Sequence, residues 1–159
     1  MDYDLRQFAK DDAAWVQDTH IKHYVEEDGF DASFGVFVGK ILDTFVQNPD
    51  PARRHGWIAE DASARLGCIF CDQFSEETAQ LRLFYVVAAA RGQGVAQVLL
   101  DRCLAFARLA RYRSLHLWTL ESHKAAGAIY ARNGLTLAQV KPVTYFGADL
   151  TEQVWQIAL

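Results

Sequence analysis

No apolar run in these 159 residues approaches the roughly 18 to 20 that a membrane-spanning helix needs, so no membrane partner is expected. The first residues, Met1-Asp2-Tyr3-Asp4-Leu5-Arg6, hold two acids and no apolar h-region, which predicts no signal peptide. Cysteine is scarce and odd in number, at three, which points to free thiols in a reducing, cytoplasmic setting. A basic excess is missing too. The net charge is -4, whereas a protein that works by neutralising phosphates is normally basic, so a nucleic-acid partner is not expected. The cluster Arg108, Arg111 and Arg113 reads as the solvated, dipole-complementing end of a helix. There is no Pro/Gly/Ser linker and no repeat, which predicts one domain over residues 1–159.

Several catalytic signatures are absent as well. No Gly-x-Ser-x-Gly occurs, which removes the commonest hydrolase elbow. His20-x-x-His23 is not the His-Glu-x-x-His of a zinc protease. Cys68-Ile69-Phe70-Cys71 lacks a second ligand pair and lies in a predicted strand that turns the two thiols to opposite faces, so neither metal nor redox chemistry is expected there. No metal is expected anywhere in the chain.

What is present is an ordinary globular composition, 51% hydrophobic, with 4 Trp, 6 Tyr and 10 Phe to anchor a core or line a pocket. Asp4 to Phe8 reads as a short strand. Asp11-Asp12 opens a helix to about Asp28, with carboxylates at its positive end, and a second helix runs from about Ala32 to Gln47 before Asn48-Pro49-Asp50-Pro51. His55 to Glu60 and Arg65 to Gln73 form a predicted hairpin, followed by an increasingly apolar strand from Ala79 to Val87 that should be central and covered on both faces. Val95, Leu99, Cys103, Phe106 and Ala110 stripe a helix over 95–110. Then come a strand from Ser114 to Leu120, a helix from about His123 to Arg132 ended by Asn133-Gly134, and strands from Leu135 to Val140 and Gln153 to Ala158. The order β-α-α-β-β-β-α-β-α-β-β implies an α/β (α+β) mixed sheet with helices on both faces and one right-handed parallel crossover.

The chemistry begins at Arg91-Gly92-Gln93-Gly94-Val95-Ala96, between a buried strand and the strongest helix. Unpaired N–H groups and the positive end of the dipole make such a helix start a phosphate site, small residues allow close backbone approach, and Arg91 adds a charged donor. A tight turn that needs glycine for geometry alone has the same composition. A P-loop would end in Gly-Lys-Ser/Thr, where Gly94-Val95-Ala96 stands, and a dinucleotide fingerprint would need glycine where Gln97 stands. Neither matches.

The segment instead resembles the acetyl-CoA signature Gln/Arg-x-x-Gly-x-Gly/Ala of the GNAT N-acetyltransferases, with Arg91, Gly94 and Ala96 at its defined positions. The element order agrees over nearly the whole chain. His20-x-x-x-Tyr24-x-x-Glu27-x-Gly29-Phe30-Asp31-x-x-Phe34 and Phe146-Gly147-x-Asp149-Leu150 are most similar to acetyltransferase domains fused behind MarR-type DNA-binding domains; the DNA-binding half is not expected here. The resemblance implies a central, mostly antiparallel sheet of about seven strands flanked by four helices. It implies acetyl-CoA as co-substrate. Pantetheine would lie against Tyr85, Val86 and Val87, and pyrophosphate against the N–H groups of Gly92, Gln93, Gly94, Val95 and Ala96 beside Arg91.

By the same resemblance Tyr130, in Ala128-Ile129-Tyr130-Ala131-Arg132-Asn133-Gly134-Leu135, is the candidate acid for the departing thiolate, although a core tyrosine on an amphipathic helix has the same pattern. Glu27 is the candidate base, one turn from His23 and Tyr24, although Glu26-Glu27-Asp28 also reads as a solvated acidic face. His20 is the alternative base. His20, Tyr24, Glu27 and Phe30 would line the pocket of a small-molecule amine acceptor. A non-catalytic acyl-CoA-binding sensor is the alternative function. Dimerisation is common for this fold, which makes a homodimer a partner to consider. The chain departs from close relatives at Val87-Ala88-Ala89, where many carry proline, at Leu120, where they carry asparagine, and at Leu135, where phenylalanine is usual.

Overall fold

The computed structural model describes residues 2–159. Seven strands form one open sheet: β1 (Asp4–Gln7), β2 (His55–Glu60), β3 (Arg65–Gln73), β4 (Thr78–Val86), β5 (Ser114–Leu120), β6 (Thr136–Tyr145) and β7 (Ala148–Ala158), in the spatial order β1-β2-β3-β4-β5-β7-β6. Only β4 and β5 run parallel; every other neighbouring pair is antiparallel. Helices α1 (Ala13–Asp28) and α2 (Ser33–Gln47) cover one face. Helices α3 (Val95–Leu109) and α4 (Lys124–Arg132) cover the other. The fold is the mixed, mostly antiparallel α/β sheet with four helices that the element order implies.

The core divides along the sheet. Trp57, Ile69, Cys71, Leu115 and Leu117 pack with Leu99, Leu100 and Cys103 of α3, while Ile58, Cys68 and Phe70 pack with Val16 of α1 and Val38 and Leu42 of α2. Cys68 and Cys71 therefore face opposite sides, both free and buried. Among the described residues no helix is long and apolar enough to cross a membrane.

Four expectations are corrected or refined. Asp12, expected among the carboxylates at the positive start of the first helix, stands there as the N-cap of α1, but as part of the core. It is buried, accepts Arg6 Nη1 at 2.7 Å, Arg65 Nε at 2.8 Å and the Ala9 N–H at 2.8 Å, and so ties β1 and β3 to the start of α1. Burial opposes its ionisation, but these bonds, led by Arg6, prevail and hold its pKa at about 2. Second, of the three arginines assigned to one helix end, only Arg108 lies in α3; Arg111 sits in the following turn at φ 66° and Arg113 pairs with Glu77 at 3.4 Å.

Third, the last two strands are much longer than 135–140 and 153–158. They meet in a two-residue turn, Phe146-Gly147, both at positive φ (52° and 77°), the backbone of a tight primed hairpin. Pro142 does not interrupt β6, because β6 is an edge strand and has one side without ladder bonds. The hairpin tip docks on the α1–α2 junction. The Phe146 ring lies 5.0 Å from Phe30 and 5.1 Å from Phe34, and Asp31 N–H donates to Phe146 O at 2.8 Å.

Fourth, β4 is central, as its apolar run suggests, but only Ala79–Leu81 is fully buried. The stretch from Arg82 to Val86 is half-buried and lines a cleft. A bulge accounts for this. Leu83 takes φ 50°, and the register with β3 shifts so that Leu83 and Phe84 together oppose Ile69. The Cys68 thiol donates to Leu83 O at 3.2 Å. Bulges bend the strand that carries them. The pairing of β4 with β5 ends after three rungs, Thr78–Ser114, Ala79–Leu115 and Gln80–His116.

Candidate active site

Beyond Gln80 and His116 the two parallel strands part, and a cleft of about 1150 Å³ opens between them. One side is β4 from Arg82 to Val86. Its outward backbone has little to pair with: Val86 O accepts only Arg91 Nε, at 3.1 Å. Unpaired sheet backbone calls for a ligand or water. The Val87 N–H is different, since it donates to Leu66 O at 2.9 Å and Val87 does not line the cleft. Of the three residues expected at pantetheine, Tyr85 and Val86 line the cleft and the Val87 N–H is turned into the sheet.

The cleft ends at the glycine loop. Gly92 and Gly94 both take left-handed conformations (φ 74° and 84°), and Gly94 caps α3. This geometry is why glycine is needed at both places. The first helical bond runs from Val98 N–H to Gly94 O. Among the described residues no backbone acceptor takes the N–H groups of Gly92 to Ala96, so they remain free at the positive end of a 15-residue helix. Arg91, Gly92, Gly94, Val95 and Ala96 line the cleft, whereas Gln93 turns its side chain to Ala89 O at 3.1 Å.

Tyr130 enters the cleft from α4. It is 4% exposed, its ring 6.4 Å from Phe84 and 6.1 Å from Trp155. Burial first, and then the nearby Tyr24, push its pKa well above the usual phenol range, so it is a neutral O–H donor. No hydrogen bond from a described residue engages that hydroxyl.

At the other end α1 supplies the polar residues singled out in the sequence. Tyr24 stands against Phe30, Phe34 and His123, with centroids at 5.5, 4.8 and 5.3 Å. Phe30 is buried beneath the hairpin tip. His20 is 2% exposed, and burial lowers its pKa to about 4 despite the bond between Nδ1 and Val16 O at 2.8 Å. With Nδ1–H donated, Nε2 is a bare acceptor without a partner, and a group with that pKa is a weak base at neutral pH. Glu27 lies at the rim, 62% exposed, with its carboxylate 3.5 Å from His23 Nδ1.

The site also contains residues that the sequence did not single out. His123, at the start of α4, bonds through Nε2 to Asp28 Oδ2 at 2.9 Å, and both are largely buried, at 18% and 6%. His23 lies beside them, 5.7 Å ring to ring from His123 and 5.2 Å from Tyr85, and its pKa is lowered chiefly by burial. Donor atoms of His23, Asp28 and His123 come within 4.8 Å of one another. The Asp28–His123 contact has the length of a charge-assisted hydrogen bond, so these two groups engage each other. Glu152, buried across from Leu120 on β7, is a further carboxylate on the cleft wall, 3.8 Å from Lys141. No local pattern could have shown any of these, because the partners lie far apart in the chain.

The family model of the acetyltransferase (GNAT) domain matches residues 52–135, which run from before β2 through the glycine loop to the end of α4. The chain belongs to the GNAT acetyltransferases. No curated protein sequence matches it. The GNAT fold is shared at low identity with solved structures. The protein yncA from Salmonella typhimurium, solved with its cofactor acetyl-CoA, is 18% identical with a TM-score of 0.81 over 99% of this chain and 94% of that one. Ard1 from Thermoplasma volcanium is 19% identical, with a TM-score of 0.77 over 100% and 99%. NAA60 from Arabidopsis thaliana, in complex with a bisubstrate analogue, is 13% identical, with a TM-score of 0.78 over 99% and 98%.

Proposed function

We propose that this GNAT acetyltransferase moves the acetyl group of acetyl-CoA to the primary amine of a small molecule or amino-acid-like acceptor, by direct attack in a ternary complex. The observation that carries this reading is the gap between β4 and β5, which exposes unpaired β4 backbone and ends on a loop of free N–H groups. An extended amide-bearing arm can pair with the first, and a pyrophosphate can occupy the second. The relative yncA, which was solved with acetyl-CoA, shares this fold.

Acyl transfer then needs a neutral amine, a donor for the tetrahedral oxyanion and a proton for the thiolate. The backbone N–H of Val86, which the register with Gly67 turns away from β3, serves as the oxyanion donor. Tyr130, with its neutral O–H, protonates the leaving sulfur. The acceptor enters from the end enclosed by α1 and the β6–β7 turn, where residues similar to those of MarR-fused acetyltransferase domains gather. The mutually tilted rings of Tyr24, Phe30, Phe34 and Phe146 give it an aromatic wall, and Glu27 and Glu152 favour a cationic group.

Calorimetric titration with acetyl-CoA, using NAD as control, tests the reading. Saturable binding of acetyl-CoA alone, followed by thiol release in the presence of amines, is expected. Binding without thiol release would leave a sensor, and folded protein that ignores acetyl-CoA would defeat the proposal.

A further inference from the structure

We propose that His123, held by Asp28, is the base that removes the proton from the acceptor ammonium. The inference rests on the acetyl-transfer reading above and names the group that makes the amine nucleophilic.

Asp28 is the last residue of α1 and His123 is the residue just before α4, so the pair bridges the two helices that flank the opening of the cleft. Asp28 Oδ2 accepts the His123 Nε2–H at 2.9 Å. A carboxylate that takes the proton of one ring nitrogen leaves the lone pair on the other, which fixes both the tautomer and the plane of the ring. Nδ1 is therefore the basic atom. Among the described residues it has no hydrogen-bond partner, and it is not one of the sealed-off polar atoms of the fold. His123 lines the cleft beside Leu120, at the end of the strand that parts from β4.

The surroundings suit a proton acceptor. From α1, the His23 ring stands 5.7 Å away and Tyr24 5.3 Å away. The His23 ring in turn stands 5.2 Å from that of Tyr85, so one imidazole separates the dyad from the strand assigned to the thioester arm. Burial lowers the His23 pKa from its ordinary value, which disfavours a competing charge beside the dyad. Lys124, next along the chain, is turned toward Glu121, 3.9 Å away. Glu27 sits at the rim, paired with His23 and largely in solvent. His20 is sealed in and weakly basic. Of the imidazoles and carboxylates at this end, the dyad alone joins burial, a fixed tautomer and an open nitrogen.

The step balances as follows. His123 Nδ1 takes one proton from R–NH3+, and the neutral amine attacks the acetyl carbonyl carbon to form the C–N bond. The tetrahedral intermediate collapses with cleavage of the C–S bond. Tyr130 gives its proton to the departing thiolate, the second proton of the nitrogen passes to the Tyr130 phenolate and restores the phenol, and His123 returns its proton to water. The products are the acetamide and free CoA thiol. Asp28 is a positioning residue, since it acts only through the imidazole.

The test uses the full chain with acetyl-CoA and three acceptors, 2-phenylethylamine, spermidine and glycinamide, with thiol release followed across pH. His123→Gln is expected to bind acetyl-CoA as the wild type does and to lose on the order of 100-fold or more in turnover at neutral pH. The deficit should shrink as pH rises, because the amine then arrives already neutral, a recovery that a merely structural defect would not show. Asp28→Asn should give a smaller loss with the same pH trend. Chelation with EDTA should change nothing. In parallel, 15N spectra of the imidazoles should show His123 as the neutral tautomer with Nδ1 bare. Wild-type rates in His123→Gln, a deficit independent of pH, or an Nδ1-protonated tautomer would overturn the assignment. So would the same pH-dependent loss in Glu27→Gln with His123→Gln unaffected, or EDTA inactivation reversed by zinc. A wild type that binds acetyl-CoA and acetylates none of the three amines overturns it as well. The cofactor reading fails on a different result, absence of acetyl-CoA binding. The imidazole spectra need no cofactor and decide the dyad in that case too.

Discussion

At the scale of single residues, two buried side chains show how the site's chemistry depends on water exclusion. Tyr130 keeps its proton because burial penalises the phenolate. Tyr130→Phe should therefore lower turnover strongly while leaving acetyl-CoA affinity nearly unchanged, since the hydroxyl is needed only as the thiolate departs. Steady-state rates beside calorimetric affinities check this. His20 makes the opposite case. Its folded-state pKa is about 4 against 6.5 for the free side chain. Below pH 6.5 the unfolded chain takes up a proton that the folded chain refuses, so stability present above that pH is lost as pH falls from 6.5 toward 4. Between pH 7 and 5 this one group accounts for about 2 kcal/mol. Urea unfolding should show that much less pH dependence in His20→Leu.

At the scale of elements, the decisive features are where strands and helices stop. In the glycine loop two left-handed residues leave N–H groups without backbone acceptors at the cleft before α3 begins. Gly94→Ala forces a Cβ into that conformation at a cost of about 1 to 2 kcal/mol, and no neighbouring atom lies within 4 Å to clash with it. The variant should fold with slightly lower stability and bind acetyl-CoA markedly more weakly, as thermal melts and calorimetry would show. The loop was legible in the sequence because its glycines, its arginine and the helix that follows are contiguous. The β6–β7 hairpin was legible only in part. Phe146 is an unusual residue for the first position of a primed turn, and its conformation persists because its ring is wedged against Phe30, Phe34 and Phe37.

For the whole molecule, the cleft is a break in an otherwise continuous seven-stranded sheet, so a ligand that fills it completes the fold. Acetyl-CoA at about 100 times its dissociation constant should stabilise the protein by about 2.7 kcal/mol. Hydrogen exchange should slow at the β4 amides from Arg82 to Val86 and in the loop from Gly92 to Ala96, while β1–β2 stays as it was. Uniform protection with no preference for those segments would place the ligand elsewhere.

The sequence by itself determined the order of elements, the two faces of the core, the opposed thiols of Cys68 and Cys71 and the glycine turn that opens α3. Each follows from residue periodicity or from neighbours a few positions apart. Tertiary structure alone decided that the apolar β4 bends at Leu83, because a bulge depends on register with β3 and leaves no mark in composition. It alone decided that Asp12, a helix-end charge, is also a buried junction between β1, β3 and α1. It alone joined Asp28 to His123 across 95 positions and sealed His20 from water, for burial and long-range pairing come into being only when the helices dock on the sheet.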